Sequence, residues 1–80
     1  MPDEADLQIR RARKEKECRR LIVEAAERGD IEAVREHAGR WETVSLGGSR
    51  PRGILIVFGS LSMSDAEKLE YAAMIASKRP

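Results

Sequence analysis

The sequence predicts a small α+β domain of order ααββα, two layers in which an antiparallel β-hairpin packs on helices. Three observations lead there. Residues 54–58, ILIVF, are five large apolar residues in a row without a charge, the pattern of a strand covered on both faces. Residues 40–46, RWETVSL, alternate in character, and GGSRPRG between the two segments supplies the Gly and Pro of a hairpin loop. The first 38 residues and the last 15 or so instead carry apolar residues at helical spacing.

The first helix is expected from about Asp3 to Arg28. Asp3, Glu4 and Asp6 complement the positive end of its dipole, and Gly29 provides a left-handed stop. Cys18, Leu21, Ile22 and Ala25 follow the i, i+3, i+4, i+7 spacing of a buried stripe. Carried back at 100° per residue, the stripe meets Lys14 and Arg11 before it reaches Leu7, so the N-terminal half cannot continue the same core contact. This divides the single domain, residues 1–80, into a projecting basic half (1–16) and a packed core (17–80). Within RRARKEKECRR, residues 10–20, seven basic and two acidic residues give a local charge of +5. Arg10, Arg11, Arg13 and Lys14 are therefore candidates for anion or nucleic-acid contact. Against that, Arg11 with Glu15, Arg13 with Glu17 and Glu15 with Arg19 stand at i, i+4, where ion pairs would make the same stretch a solvated helix. No aromatic residue lies among the basic ones for base stacking.

EAAERGDIEAVREHAG is expected to form a helix, a tight break and a second helix. Asp30 is its N-cap, Ile31, Val34 and Ala38 form the buried edge, and Gly39 is the stop. Residues 24–38 resemble the helix pair of an ankyrin repeat, or the opening helices of NTF2-like domains. The ankyrin loop signature and the further length of an NTF2-like cone are absent, and no function is carried over. His37 has no second histidine to join it as a metal ligand, which favours a structural or surface role.

Pairing Leu46 with Ile54 in the hairpin puts Val44, Leu46, Ile54, Ile56 and Phe58 on one sheet face and Trp41, Thr43, Leu55 and Val57 on the other. The second strand then has no polar face, and its edge lacks the Lys, Pro or inward charge that protects an edge. The expectation is a homodimer in which strands 54–58 of two copies pair. Ser64 followed by Glu67 makes a capping box that opens the last helix, which runs to about Lys78. Ala66, Leu69, Ala72, Ala73 and Ala76 form its small side; Tyr71, Met74 and Ile75 form a second apolar side.

A chain of 80 residues with 41% hydrophobic and 36% charged residues has the composition of a soluble globular domain, and its net charge of +1 exerts no overall pull on polyanions. No apolar stretch approaches the roughly 18 residues of a membrane span, and one cysteine excludes an internal disulfide or a multi-thiolate zinc site in one chain. The placement expected is cytoplasmic. The preference for arginine over lysine fits a GC-rich bacterial or phage gene. The glycines of the hairpin loop lack the GK[ST] ending of a phosphate-binding loop, and neither a Ser/His/Asp set nor a carboxylate pair is evident. No enzyme, cofactor or metal is expected, and Cys18 reads as a small buried hydrophobe. Arg40, brought by the hairpin toward Ser60 and Ser62 near the last helix, is a candidate anion site. The function expected is non-enzymatic: a small regulatory or inhibitory protein that binds another protein as a homodimer, through Trp41, Leu55, Val57, Tyr71, Met74 and Ile75. Nucleic-acid binding through Arg10 to Arg20 is the alternative.

Overall fold

The computed structural model describes residues 4–45 and 49–78, and within them the chain forms four helices and no strand: α1 (Glu4–Arg28), α2 (Ile31–Val44), α3 (Ser49–Phe58) and α4 (Asp65–Ser77). The α+β reading is overturned. Of the segments read as strands, residues 40–44 belong to α2 and residues 54–58 to α3. Asp3, Leu46 at the end of the expected first strand, and Gly47 and Gly48 of the expected loop lie outside the described residues.

Two misread residues account for the difference. Gly39 does not stop α2 but sits inside it. Past it, Trp41 continues the edge of Val34 and Ala38 at the i, i+4, i+7 spacing, and all three are buried. Pro51 does not mark a loop. It stands in the first turn of α3, where a missing N–H leaves no intrahelical bond unmade, and it is buried with Ile54 three residues on. An apolar run of five cannot be assigned to strand or helix by its own periodicity; here tertiary packing overrides the strand preference of its β-branched residues.

The remaining signals are realised as read. Gly29 has φ +74°, the left-handed region, and ends α1. The Asp30 carboxylate accepts from the Ala33 N–H at 3.1 Å. Ser64 accepts from the Glu67 N–H at 3.2 Å while Glu67 accepts from the Ser64 N–H at 3.3 Å, a complete capping box.

Side-chain bonds between helices fix their directions. The Arg52 Nε donates to Glu42 at 3.4 Å, which sets the end of α2 beside the start of α3. The Arg50 guanidinium donates to the Lys78 carbonyl at 3.1 Å, which sets the start of α3 beside the end of α4. The Arg19 Nε donates to the Ala76 carbonyl at 3.0 Å, and Ala26 with Glu27 lies near Ala66, Leu69 and Ala73, so α4 runs antiparallel to α1. The helices thus follow one another around a ring in which α1 packs on α2 and α4, and α3 on α2 and α4. Cys18, Ile22, Ala25, Val34, Ala38, Trp41, Ile54, Ala72 and Ala76 form one core cluster. α1 outruns it: the molecule measures 47 × 21 × 21 Å, and every residue from 4 to 14 is exposed.

A helical Gly39 has a direct consequence. A Cβ built there meets nothing within 4 Å, and glycine costs an interior helix position about 0.5–1 kcal/mol relative to alanine. Gly39→Ala is expected to raise the urea midpoint by that amount of stability; a drop would restore the turn.

Candidate functional site

α3 presents its five apolar residues on a helix, and successive residues of a helix turn by 100°. Five in a row therefore sweep a full circle, and no orientation buries them all. Ile54 faces the core; Leu55, Val57 and Phe58 are half-buried; Ile56 is 68% exposed. The next connection leaves Leu61 fully exposed. On α4, Ala72 and Ala76 are buried, Tyr71 and Ile75 are half-buried, and Met74 is 46% exposed. α3 and α4 approach closely at Gly53, where a Cβ would stand 3.4 Å from the Tyr71 hydroxyl. Ile56 and Met74 each lie three residues beyond one member of that contact, about one helical turn along in opposite directions. The outer side of α3 and α4 therefore exposes Ile56 and Met74 on either side of the Gly53–Tyr71 contact, among the exposed charged residues Arg52, Glu67 and Glu70 of the same helices.

Of the expected interface residues, Leu55, Val57, Tyr71, Met74 and Ile75 belong to α3 and α4, while Trp41 does not reach the surface. It is 1% exposed and is the largest fully buried side chain. Its Nε1 has no hydrogen-bond partner among the described residues, nor has the Nδ1 of His37 one turn before it. The pairing of two strands 54–58 is also overturned, since that segment has no strand edge to offer. Ile56, assigned by the hairpin register to the core face, is the residue that reasoning missed; a helical reading of 54–58 would have found it.

The expected anion site of Arg40, Ser60 and Ser62 is not assembled. Arg40 lies on α2 and bonds Glu36 at 2.8 Å. Ser60 and Ser62 hydrogen-bond each other at 3.0 Å beyond the far end of α3, whereas Arg40 lines a groove with Lys14, Glu17 and Cys18 of α1.

The basic half of α1 is exposed to solvent. None of the three expected pairs of Arg11, Arg13 and Arg19 with Glu15 and Glu17 is formed; the ion pairs among the described residues are Arg20–Glu24, Arg40–Glu36 and Arg52–Glu42. Arg10, Arg11, Arg13, Lys14 and Lys16 are all exposed. Where α1 leaves the body, Arg13, Lys16, Arg19, Arg20 and Val23 face Ala76 and Ser77 of α4 across an open groove of about 530 Å³.

Cys18 is 8% exposed. Burial pushes its thiol above the ordinary value of 9.0, the Glu17 carboxylate adds to the rise, and the Arg40 guanidinium opposes it. The protonated thiol is a buried hydrophobe rather than a nucleophile. No group of three or more acidic, His or Cys side chains that could hold a metal ion occurs among the described residues, and no helix among them is long and apolar enough to cross a membrane.

No family model, curated protein or solved structure matches this chain. The likeness of residues 24–38 to an ankyrin helix pair is accordingly that of a common helix-turn-helix pattern.

Two outcomes are expected. Changing Arg11, Arg13 and Lys14 together to Ala should shift the folding free energy by no more than about 0.5 kcal/mol, the range of surface substitutions, checked by thermal melting. For Cys18, the raised folded value means that the unfolded thiol ionises first. Its contribution to stability is complete below the ordinary value and is lost as pH rises through the folded one. Wild type should therefore lose melting temperature more steeply than Cys18→Ala above about pH 9.

Proposed function

We propose that this chain is a non-enzymatic regulatory or inhibitory protein that acts as a homodimer and binds another protein in the cytoplasm. The observation that carries the reading is the exposure of Ile56 on α3 and Met74 on α4, to either side of the Gly53–Tyr71 contact, with Leu61 exposed in the connection between the two helices. Exposed apolar residues gathered on one side of a small domain mark interaction surfaces. Tyr71, half-buried between Ile56 and Met74, adds a rigid amphipathic side chain of the kind enriched at interfaces. The partner this surface fits is a protein with an apolar ridge or helix face, held with little dependence on salt. A free, buried thiol is compatible with a reducing compartment.

Nucleic-acid binding is the second reading, and the exposed, unpaired cations of α1 support it. Phosphate contact through them would weaken steeply with salt, unlike contact at Ile56 and Met74.

Immobilised wild type and two variants, Ile56→Asp/Met74→Asp and Arg11→Ala/Arg13→Ala/Lys14→Ala, separate the readings in a host lysate at high salt. The first reading expects proteins retained by wild type and the triple variant but lost from the double variant. Retention of nucleic acid that vanishes with salt and with the triple variant would replace it by the second reading.

A further inference from the structure

Where α1 leaves the body, positive charge gathers on one wall of the groove it shares with α4. Arg13, Lys16 and Arg20 stand at i, i+3 and i+7 on α1, within about 60° of one another around its axis. Arg19 joins them on the lining, where Glu17 is the one carboxylate. The four cations are not equally available. Arg20 is held by Glu24 at 3.0 Å. Arg13 and Lys16 are exposed and pair with no carboxylate among the described residues. Arg19 uses its Nε on the Ala76 carbonyl, and its terminal amino groups are left for another acceptor. The opposite wall, Ala76 and Ser77, brings no carboxylate. Its carbonyls, which would repel an anion, are occupied: that of Ala76 by Arg19, that of Met74 by the Lys78 N–H and the Ser77 hydroxyl, and that of Lys78 by Arg50.

We propose that this groove binds the phosphodiester backbone of a nucleic acid, with the phosphates of one strand lying along α1 between Arg13 and Arg19 and no readout of sequence. The chemistry of the lining supports that occupant. Guanidinium and ammonium groups donate and carry no acceptor, which suits phosphates that only accept. An acidic peptide would bring an N–H with nearly every residue, and the α4 carbonyls that could receive it are already taken. The dimensions agree as well. Arg13 to Arg19 is about 9 Å of helix, and the phosphates of one strand of a duplex advance about 3.4 Å each along its axis. A duplex lying along α1 thus offers about three phosphates to three available cations. No aromatic side chain lines the groove to stack a base, and contacts to phosphate position a duplex without specifying its sequence. Arg11 and Lys14, at 100° per residue, project from the other side of α1, so the groove can be separated experimentally from the general positive charge of the helix.

This site rests on the nucleic-acid reading above and is independent of the Ile56 and Met74 surface. Fluorescence anisotropy of a labelled DNA duplex titrated with the full chain, over a salt series from about 25 to 200 mM, tests it. The proteins are wild type, Arg13→Ala/Lys16→Ala and Arg11→Ala/Lys14→Ala, each checked for helicity by circular dichroism. Both double variants remove the same charge, from opposite sides of α1. About three phosphate contacts give wild type a slope of log K against log salt near −2.7. Arg13→Ala/Lys16→Ala should reduce the size of that slope by about 2 and weaken binding at low salt roughly tenfold or more. Arg11→Ala/Lys14→Ala should leave the slope within about half a unit of wild type, and scrambling the duplex sequence should leave the affinity unchanged. Equal losses from the two double variants, or affinity that depends on sequence, overturn the groove contact and leave the nucleic-acid reading standing. Failure of wild type to bind duplex or single-stranded DNA at the lowest salt overturns both. Tighter Arg13- and Lys16-dependent binding of a Glu-rich peptide than of DNA would assign the groove to an acidic protein segment instead.

Discussion

One side chain organises this molecule. The chain has a single Trp, a single Tyr and a single Phe, and only the indole of Trp41 lies wholly in the core, where most of its companions are small: Cys18, Ala25, Val34, Ala38, Ala72 and Ala76. A large residue surrounded by small ones lets helices close on it to interior density without voids. Truncating a buried Trp typically costs about 3–5 kcal/mol, a large share of the roughly 5–15 kcal/mol that holds a domain together. The area buried is sufficient to keep the indole inside even though its N–H lacks a partner among the described residues.

The closure of the ring depends on a second device. α4 has no basic residue in its last turn, so its terminal carbonyls and the negative end of its dipole are met from outside. Arg19 of α1 and Arg50 of α3 supply the guanidinium groups, one from each side. Such charge-assisted bonds satisfy carbonyls that a helix leaves open and fix the longitudinal position of α4 against both neighbours. Arg19 therefore has a structural task, although it stands in the basic stretch that suggests polyanion binding. A share of that stretch's charge is spent on the fold, while the free cations belong to residues 10–16.

How much of this was legible in the sequence follows from which signals are local. A glycine forced to positive φ, an Asp N-cap and a Ser-x-x-Glu box each act over three or four residues, and Gly29, Asp30 and Ser64 carry the same meaning in the structure as in the sequence. So does the departure of Arg11 and Lys14 from the buried stripe. Gly39 and the ILIVF run were ambiguous for the same reason in reverse. Whether a glycine ends a helix or is carried through it, and whether five apolar residues extend or coil, depends on what packs alongside. Trp41 at i+3 from Ala38 was the available clue that α2 continues past Gly39. Its own alternating neighbours, Glu42 and Thr43, obscured it.

The correction changes the argument for a partner without removing its basis. As a strand, ILIVF would need cover on two flat faces and an edge. As a helix it needs cover over a full circle, while α2 and α4 pack against only part of it. Ile54 and the half-buried Leu55 and Phe58 are used by that packing. A polar residue at position 56 would serve the fold as well as isoleucine does, and the same holds for Leu61 in the following connection. Transfer of such side chains out of water gains about 25 cal/mol per Å² of apolar surface, a gain the single chain leaves unused at these two positions. The residues the fold does not require are therefore the ones whose apolar character asks for a separate explanation, and the contact with a second surface proposed above is one that the physics of burial would favour.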